Sequence, residues 1–366
     1  VPMASSAISP SRRQGYSRAE PMENYHSLLL NAAGSRVAPQ LLVADENCID
    51  FPFAALANHV EVLSNRHDVA TRASRAGLHS VFSDFDFSPW QAKPPTRILY
   101  RLSKEKAVVH HIANQSRRLL AAGGELLIAG GKQEGIKTFA KTIGALFGAP
   151  ARLDKHGNQY LLSARASAAE PTDAGALDDR EYDRLREIST LHDKPIFSKP
   201  GMFGWDKVDA GSALLAQYLP DFLAGTEGGA TLLDLGCGYG YLSLAASSLR
   251  NFQITATDNC AAALLACEHN FKAHGIAGHV VADDCAAAIA GPFQVILCNP
   301  PFHQGFQHDR GLTEKFLAST RRLLAPGGRA LFVVNAFVPL EQLARDSFRQ
   351  VETVLHSGSF KLVSLG

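Results

Sequence analysis

The back half of the chain alternates short apolar runs with helical patterns, and this alternation limits the possible folds more than any other feature. The apolar runs are Thr231–Leu235, Ile254–Asp258, His279–Ala282, Val295–Cys298 and Ala330–Asn335. The helical patterns between them cover Leu242–Leu249, Ala261–His274 and Thr313–Leu324. Strands that alternate with helices favour an α/β fold with a parallel, doubly wound sheet. Such sheets bind ligands at the carboxyl ends of their strands.

One eight-residue segment occurs twice. Arg117–Gly124 reads RRLLAAGG and Arg321–Gly328 reads RRLLAPGG, and each copy follows a helical pattern and precedes an apolar run. The matching order of neighbours indicates a duplicated domain. In the front copy, the run Leu41–Asp45 is followed by no glycine turn, and Arg101–Lys104 stands roughly where the back copy has Asn-Pro-Pro-Phe. We therefore expect a degenerate, non-catalytic front copy.

Two polar, small-residue stretches mark the domain boundaries. Residues 1–22 are rich in Ser, Pro and Arg without an apolar period, and we interpret them as a disordered tail or a cloning remnant. Residues 166–180 are small and polar with Pro and Gly, which is typical of a linker. The chain is therefore predicted to have a front domain at 23–165 and a back domain at 181–366.

The composition is that of a globular protein, with 46% hydrophobic and 19% charged residues. No run approaches the roughly 18 consecutive apolar residues of a membrane helix, and no signal-peptide pattern is visible. The six cysteines form no CxxC pair, which argues against zinc and favours reduced thiols. We expect a cytoplasmic monomer with no metal and no membrane partner.

Net charge is +1, so the whole chain carries no strong basic signal for nucleic acid. Residues 1–190 contain 23 Lys and Arg against 20 Asp and Glu, and the remainder 13 against 15. This weak asymmetry places an RNA-facing surface, if there is one, toward the front.

A glycine turn follows the first apolar run of the back half. Asp234 precedes Gly236, Gly238 and Gly240, and the turn opens a helical pattern. Glycines accept positive φ and let a ligand approach the backbone, and a helix N-terminus offers free N–H groups. Asp234 suits a methionine amino group or a bridging water, and Asp258, which ends the next run, can bond both hydroxyls of a ribose. The G-x-G-x-G spacing fits S-adenosylmethionine better than the G-x-G-x-x-G of dinucleotide dehydrogenases; a purely structural turn is the alternative.

Two acids follow the third apolar run, Asp283 and Asp284. A carboxylate at this point can accept a hydrogen bond from an adenine amino group. A solvated acidic turn is the alternative, above all for Asp283. We assign the adenine contact to Asp284.

The fourth apolar run ends in Asn299, Pro300, Pro301 and Phe302. An exocyclic amino nitrogen is a poor nucleophile because its lone pair is delocalised into the ring. Asn299 Oδ1 and the Pro300 carbonyl can accept its two hydrogens and free that lone pair, while the prolines restrict the backbone. Phe302 can stack on the base. A methyl sulfonium needs positioning more than a strong base, so we assign no general base; a rigid Pro-Pro turn beside a core Phe is the alternative.

Cys298, His303 and the segment Phe197–Leu215 lie before or after these motifs in the chain. Cys298 could act as a cytosine-C5 nucleophile, but it ends an apolar run and we place it in the core. His303 could contact substrate or serve the structure alone. The segment Phe197–Leu215, which mixes aromatics with Asp209, can wrap a cofactor or cap the sheet.

Taken together, these motifs resemble the bacterial rRNA guanine-N2 methyltransferases, specifically the type that acts on the small subunit (RsmC type). The resemblance rests on Pro200–Phe203, Asp209–Ser212, Asp234–Gly240, Asn299–His303 and Asn335–Phe337 with Pro339. It implies two tandem Rossmann-like class I methyltransferase domains, each with a seven-stranded, mostly parallel sheet, of which the N-terminal copy is degenerate. It also implies that Phe203 and Asp209 belong to the cofactor pocket.

The resemblance further implies an activity. S-adenosylmethionine would donate a methyl group to N2 of guanine 1207 of 16S rRNA, in an assembled 30S subunit. Asn299, Pro300 and Phe302 would be catalytic, with Asn299 also bordering the cofactor, and Pro301, Phe302 and His303 would bind the substrate. The sister family acting on large-subunit rRNA (RlmG type) is at least as similar around Asn299. Methylation of adenine N6 or of a glutamine amide, and a non-catalytic RNA-binding assembly factor, are the alternatives.

Overall fold

The computed structural model describes residues 24–34, 38–169, 175–301 and 306–366. The front domain comprises α1 (Asn24–Ala33), β1 (Gln40–Ala44), β2 (Val60–Ser64), α2 (His67–Arg75), β3 (Ser80–Phe82), β4 (Arg97–Arg101), α3 (Lys106–Leu119), β5 (Glu125–Gly131), α4 (Ile136–Phe147), β6 (Arg152–His156) and β7 (Gln159–Arg165). A hairpin of β8 (Arg186–Leu191) and β9 (Lys194–Ser198) follows. The predicted tail at residues 1–22 lies outside the described residues.

The back domain repeats the pattern of the front. It comprises α5 (Ala210–Phe222), β10 (Ala230–Leu235), α6 (Tyr241–Leu249), β11 (Phe252–Asp258), α7 (Ala261–His274), β12 (His279–Ala282), β13 (Phe293–Cys298), α8 (Phe306–Leu323), β14 (Leu324–Asn335), α9 (Leu340–Ala344), β15 (Val351–Ser357) and β16 (Phe360–Leu365).

The two sheets have the same strand order. The front sheet runs β3-β2-β1-β4-β5-β7-β6 and the back sheet β12-β11-β10-β13-β14-β16-β15. In each sheet one strand, β7 or β16, runs against the others. The repeated RRLLA segment leads from α3 into β5 and from α8 into β14, which are equivalent places. The predicted fold, two tandem seven-stranded α/β domains, is confirmed.

The central strands are apolar because helices cover both faces of the sheet. In the back domain, Leu232 packs in a cluster with α5, α6 and α7, whereas its neighbour Leu233 packs in a cluster with α8 and α9. Both side chains are fully buried. Packing on both faces therefore fixes the position of β10 at the centre of the sheet. It also fixes the direction of the carboxyl end of this strand.

One strand begins earlier than its apolar run, Ala330–Asn335. Helix α8 ends at Leu323, close to the end of its helical pattern at Leu324, and β14 begins directly after it at Leu324. Opposite β13, the register jumps from Leu324 to Arg329, so the Pro-Gly-Gly stretch forms a bulge, with Gly327 at φ +73°. Pairing with β13 on both sides of this bulge extends β14 back to the end of the helix.

The second part of the predicted linker packs on the front domain. The side chain of Asn114 in α3 pairs with the backbone of Leu177, and His110 bonds the Asp178 carbonyl. Tyr182 is fully buried in the front core. Residues 170–174 lie outside the description, so the boundaries at 166 and 180 stay predictions.

The described residues include no helix with the length and apolar character of a membrane span. They also contain no group of three His, Cys, Asp or Glu side chains arranged to hold a metal ion.

Candidate active site

Three strands of the back sheet end side by side. β10 lies between β11 and β13. Its last residue, Leu235, pairs with Thr257 of β11 and with Cys298 of β13, the residues directly before Asp258 and Asn299. Gly236, Asp258 and Asn299 therefore meet at one carboxyl edge of the sheet, where parallel α/β folds bind ligands.

The glycine turn has the backbone that its sequence predicts. Gly236, Gly238 and Gly240 lie at φ of +76°, +54° and +86°, a region that side chains disfavour. A Cβ atom at Gly240 would lie 2.8 Å from Cys267 Sγ. A Cβ atom at Gly238 would have no atom of the described residues within 4 Å. The turn is thus closed against α7 and open at Gly238, which leaves room for a ligand against the backbone.

Asp234 lies beneath this turn with one oxygen satisfied and one not. Its Oδ2 accepts from Ser243 N at 3.0 Å and from Ser243 Oγ at 2.7 Å. Its Oδ1 is buried and has no donor among the described residues. Burial raises the pKa of the Asp234 carboxyl to about 6, against the opposing effect of the Ser243 donors. A buried acceptor without a partner is costly, so a positive or donating ligand group fits here.

Asp258 braces the glycine turn from the neighbouring strand. Its Oδ2 accepts from Gly238 N and its Oδ1 from Cys260 N, both at 2.9 Å. Each carboxylate oxygen has a further lone pair, so the side chain can also accept from a ligand hydroxyl. The ribose contact predicted for Asp258 stays a prediction.

The two acids after β12 have different surroundings. Asp283 is buried, and its Oδ2 accepts from Ala288 N at 2.8 Å. Asp284 is partly exposed, with its Oδ2 at 3.4 Å from Lys315 Nζ. Asp283 therefore holds its own turn, and Asp284 is the acid that remains for the adenine contact predicted for it.

Asn299 directly follows β13, and the nitrogen of its side-chain amide is fixed by two hydrogen bonds. The Asn299 Nδ2 donates to Asp209 Oδ2 and to Ser212 Oγ, each at 2.8 Å. Asp209 caps α5, because its Oδ2 also accepts from Ser212 N at 2.8 Å. The structure thus brings together two residues predicted separately, Asp209 and Asn299.

The rest of the Asn-Pro-Pro-Phe motif is described only in part. Pro300 is buried and Pro301 is exposed, while Phe302 and His303 lie outside the described residues. Cys298 is fully buried, and burial raises the pKa of its thiol well above the usual range. The assignment of Cys298 to the core, rather than to nucleophilic catalysis, agrees with this environment.

Two aromatic side chains are more than half exposed at this end of the molecule. Phe203 is 56% exposed and Phe337 is 64% exposed. Phe337 lies in a turn closed by Val338 N and Asn335 O, directly after β14, and therefore at the same sheet edge as Asn299. Exposed aromatic rings beside a ligand edge suit contact with a planar partner.

A cavity of 440 Å³ opens next to the first turn of α5. Its lining includes Met202, Phe203, Trp205 and Asp209 from the back domain and Glu105 from the front domain. This volume is in the range of small-molecule sites. A larger cavity of 550 Å³ lies against α4 and contains none of the predicted site residues.

The corresponding edge of the front sheet is filled by its own side chains. Arg101, at the end of β4, pairs with Glu134 through bonds of 2.7 and 2.9 Å. After β1, Glu46 pairs with Arg66 at 3.2 Å. These ion pairs occupy the positions at which the back domain has its glycine turn and Asn299, which supports the prediction of a non-catalytic front copy.

The front domain also contacts the edge of the back domain that carries the glycine turn. Asn259, the residue after Asp258, exchanges two hydrogen bonds with Asp68 at 2.9 and 3.0 Å. Lys199 forms a buried ion pair with Asp84, and the Asp84 Oδ1 accepts from the Tyr182 hydroxyl at 2.7 Å. Since Lys199 precedes the segment Pro200–Phe203, residues of the front domain contact the back domain both next to Asp258 and next to that segment.

Sequence reasoning gave no individual role to three polar residues of this site. Ser243 holds Asp234, Ser212 holds Asn299, and Asn270 bonds the backbone of Phe197 and the carbonyl of Tyr239. Ser212 lies in the segment Asp209–Ser212, which carried part of the resemblance, but its contact with Asn299 was not predicted. Asn270 and Ser243 carry no local pattern.

The comparisons with known proteins cover most of the chain. Residues 193–364 match the family model described as the methyltransferase small domain. Ribosomal RNA small subunit methyltransferase C of Haemophilus influenzae (strain PittGG) is 30% identical over 271 residues, 73% of this chain and 78% of that protein. The protein of that name from Shewanella amazonensis is 29% identical over 94% of both chains.

One solved structure matches both domains. It is the T. thermophilus 16S rRNA N2 G1207 methyltransferase in complex with AdoMet and guanosine, with a TM-score of 0.77. It is 22% identical and covers 95% of this chain and 92% of its own. At this identity the likeness is one of fold.

Proposed function

The chain belongs to the ribosomal RNA small subunit methyltransferase C family, and we propose that it transfers a methyl group from S-adenosylmethionine to N2 of a guanine in 16S rRNA. The relatives carry that name over up to 94% of this chain. The observation that carries the proposal is the amide of Asn299, which is fixed beside the open glycine turn.

The residues of the glycine edge fit S-adenosylmethionine. Asp234 Oδ1 is a buried acceptor with no donor among the described residues, which suits the methionine ammonium. The open space at Gly238 suits close approach of the ligand to the backbone. Asp258 and Asp284 would hold the ribose and the adenine, and Phe203 would border the pocket. When bound, the cofactor supplies a methyl group that is already activated as a sulfonium.

Residues of the Asn-Pro-Pro-Phe-His motif would orient the guanine base. Asn299 Oδ1 and the Pro300 carbonyl would accept the two hydrogens of the guanine amino group and draw the nitrogen toward tetrahedral geometry. Pro301, Phe302 and His303 would contact the base, with Phe302 stacking on it. Positioning of this kind accounts for a large share of the barrier reduction in two-substrate reactions, so no general base is assigned.

The target that we propose is guanine 1207 of 16S rRNA within an assembled 30S subunit. The solved relative is named for this guanine, and the recognition of the small-subunit type from sequence agrees with the curated relatives. Reaching a paired guanine requires flipping it out of its helix, at a few kcal/mol. We further propose that the protein acts in the cytoplasm, as a monomer and without a metal.

The proposal is tested with purified protein, labelled S-adenosylmethionine and three substrates: 30S subunits, naked 16S rRNA and 50S subunits, all taken from cells that lack the enzyme. We expect label in N2-methylguanine of the 30S subunits. Label in 50S subunits alone would transfer the protein to the large-subunit type, and label in adenine or in protein would end the guanine assignment.

The pH dependence of cofactor binding follows from Asp234. Its pKa of about 6 lies above the ordinary value of 3.8, so folding favours the neutral form, and stability from this group is lost as pH rises from about 4 to 6. The affinity for a cationic ligand changes with pH in the opposite direction, because a cation binds the ionised carboxylate and not the neutral acid. We expect the affinity for S-adenosylmethionine to fall about tenfold per pH unit below pH 6.

Calorimetry between pH 5 and pH 7.5 measures this dependence. Asp234→Asn should bind more weakly and lose the pH dependence, whereas Asp221→Asn, an exposed acid on α5, should keep both. An unchanged pH dependence in Asp234→Asn would remove Asp234 from the ammonium contact.

The exposed ring of Phe337 gives a prediction for RNA binding. Stacking of one base on an aromatic ring contributes about 1–3 kcal/mol, so Phe337→Ala should raise KM for 30S subunits about 10- to 100-fold. The affinity for S-adenosylmethionine should not change. Leu249→Ala, at an exposed side chain (45%) where α6 ends, is the matched control, and an equal effect of both variants would contradict an RNA contact at Phe337.

A further inference from the structure

We propose that Asp209, together with Ser212, is the positioning residue that aims the Asn299 amide at the amino group to be methylated. This proposal rests on the proposed function and gives Asp209 a task other than contact with the cofactor. It is carried by the two bonds of 2.8 Å that Asn299 Nδ2 donates to Asp209 Oδ2 and Ser212 Oγ.

These bonds settle which way the amide faces. An ionised carboxylate only accepts hydrogen bonds, so the group that faces Asp209 must be the amide nitrogen and not the amide oxygen. The two acceptors engage both N–H hydrogens. Asn299 Oδ1 therefore points away from α5, in the direction from which a substrate amino group can donate to it.

The charge of Asp209 also acts on the Asn299 oxygen. An N–H group that donates to a carboxylate shifts electron density toward the carbonyl oxygen of the same amide, and linked hydrogen bonds strengthen one another. The substrate nitrogen becomes positive as its lone pair forms the new C–N bond while the methyl–sulfur bond breaks, and its extra proton is then released to water. A more negative Oδ1 binds that nitrogen more strongly in the transition state than in the ground state, which lowers the barrier.

The local sequence is built around this contact. Asp209 is the N-cap of α5, and its carboxylate accepts a hydrogen bond from Ser212 N that does not involve Asn299. The cap therefore fixes the carboxylate independently of Asn299. At Gly211 a side chain would begin 3.1 Å from Asp209 Oδ2 and 3.2 Å from Phe360 Cε1. Glycine at this position therefore avoids a close contact with both the Asp209 carboxylate and the Phe360 ring.

The test compares Asp209→Asn, Asp209→Ser and Ser212→Ala with Asp221→Asn, an exposed acid on the same helix. Asp209→Asn removes the charge at constant shape, and Asp209→Ser retains an N-cap oxygen for α5. Both should lower kcat about 10- to 100-fold, by analogy with the loss of a residue that orients a metal ligand. KM for 30S subunits, the calorimetric Kd for S-adenosylmethionine and the thermal midpoint should stay within about twofold or 2 °C of the parent.

Ser212→Ala should lower kcat less than Asp209→Asn, because it removes a neutral acceptor. Full kcat in Asp209→Asn, in a parent that methylates 30S subunits, would overturn the proposal and leave the proposed function intact. A weaker Kd for S-adenosylmethionine with kcat retained would also overturn it, since Asp209 would then be a cofactor ligand. A parent that binds S-adenosylmethionine but methylates no rRNA would contradict the proposed function itself.

Discussion

Asn299→Ala should lower kcat for methyl transfer to 30S subunits by about 100- to 1,000-fold, the usual cost of removing one group that stabilises a transition state. The affinity for S-adenosylmethionine should stay within about twofold, because Asp234, Asp258 and the glycine turn remain. The reason is that, in the proposed mechanism, Asn299 Oδ1 accepts from the amino group, and the Asn299 amide is already held by α5. Single-turnover kinetics and calorimetry measure the two quantities separately.

The matched variant for this prediction is Asn299→Asp, which retains the shape but replaces the donating nitrogen by an oxygen. It would face Asp209 with a second carboxylate, so we expect a loss at least as large as that of Asn299→Ala. Turnover at the parent rate in either variant would remove Asn299 from the mechanism. A loss of cofactor binding together with turnover would assign Asn299 to the cofactor instead.

Asp84→Ala should lower the free energy of unfolding by about 3–5 kcal/mol, because it leaves the ammonium of Lys199 buried without its partner. The side chains of Lys199 and Asp84 are only 5% and 4% exposed, and Asp84 also accepts from the Tyr182 hydroxyl. Denaturant unfolding with a common slope gives the difference.

Two further variants isolate the cause of this loss. Asp50→Ala breaks the exposed pair with Arg72, whose side chains are 80% and 43% exposed, and should cost about 0–1 kcal/mol. Asp84→Leu combined with Lys199→Met removes both charges and should recover most of the stability. Equal losses in Asp84→Ala and Asp50→Ala would contradict the account of a buried pair between the domains.

The fold and the main site motifs follow from local pattern. Alternating apolar and helical segments predict a parallel sheet, and a parallel sheet brings all carboxyl ends to one edge. Asp234, Asp258 and Asn299 each stand at a strand end in the sequence, so their convergence needs no knowledge of side-chain packing. The repeated RRLLA segment in addition predicts that the order of strands in one domain is repeated in the other.

The contacts that orient the site could not be predicted in this way. Asp209 and Asn299 are 90 positions apart in the chain, and their contact depends on how α5 packs against β14, the neighbour of β13 in the sheet. The pairing of Asp68 with Asn259 spans 191 positions and joins two domains. The exposure of Phe337 depends on what covers β14, and the bulge at Pro326–Gly328 depends on pairing with β13; neither leaves a signal in the neighbouring residues.

The proposed function is tested in the cell by deleting the gene in its source organism and mapping N2-methylguanine in both rRNAs by mass spectrometry. We predict loss of this modification at guanine 1207 of 16S rRNA, restored by the parent gene and not by one encoding Asn299→Ala. Loss confined to 23S rRNA, or an unchanged set of N2-methylguanines in both subunits, would contradict the proposed function.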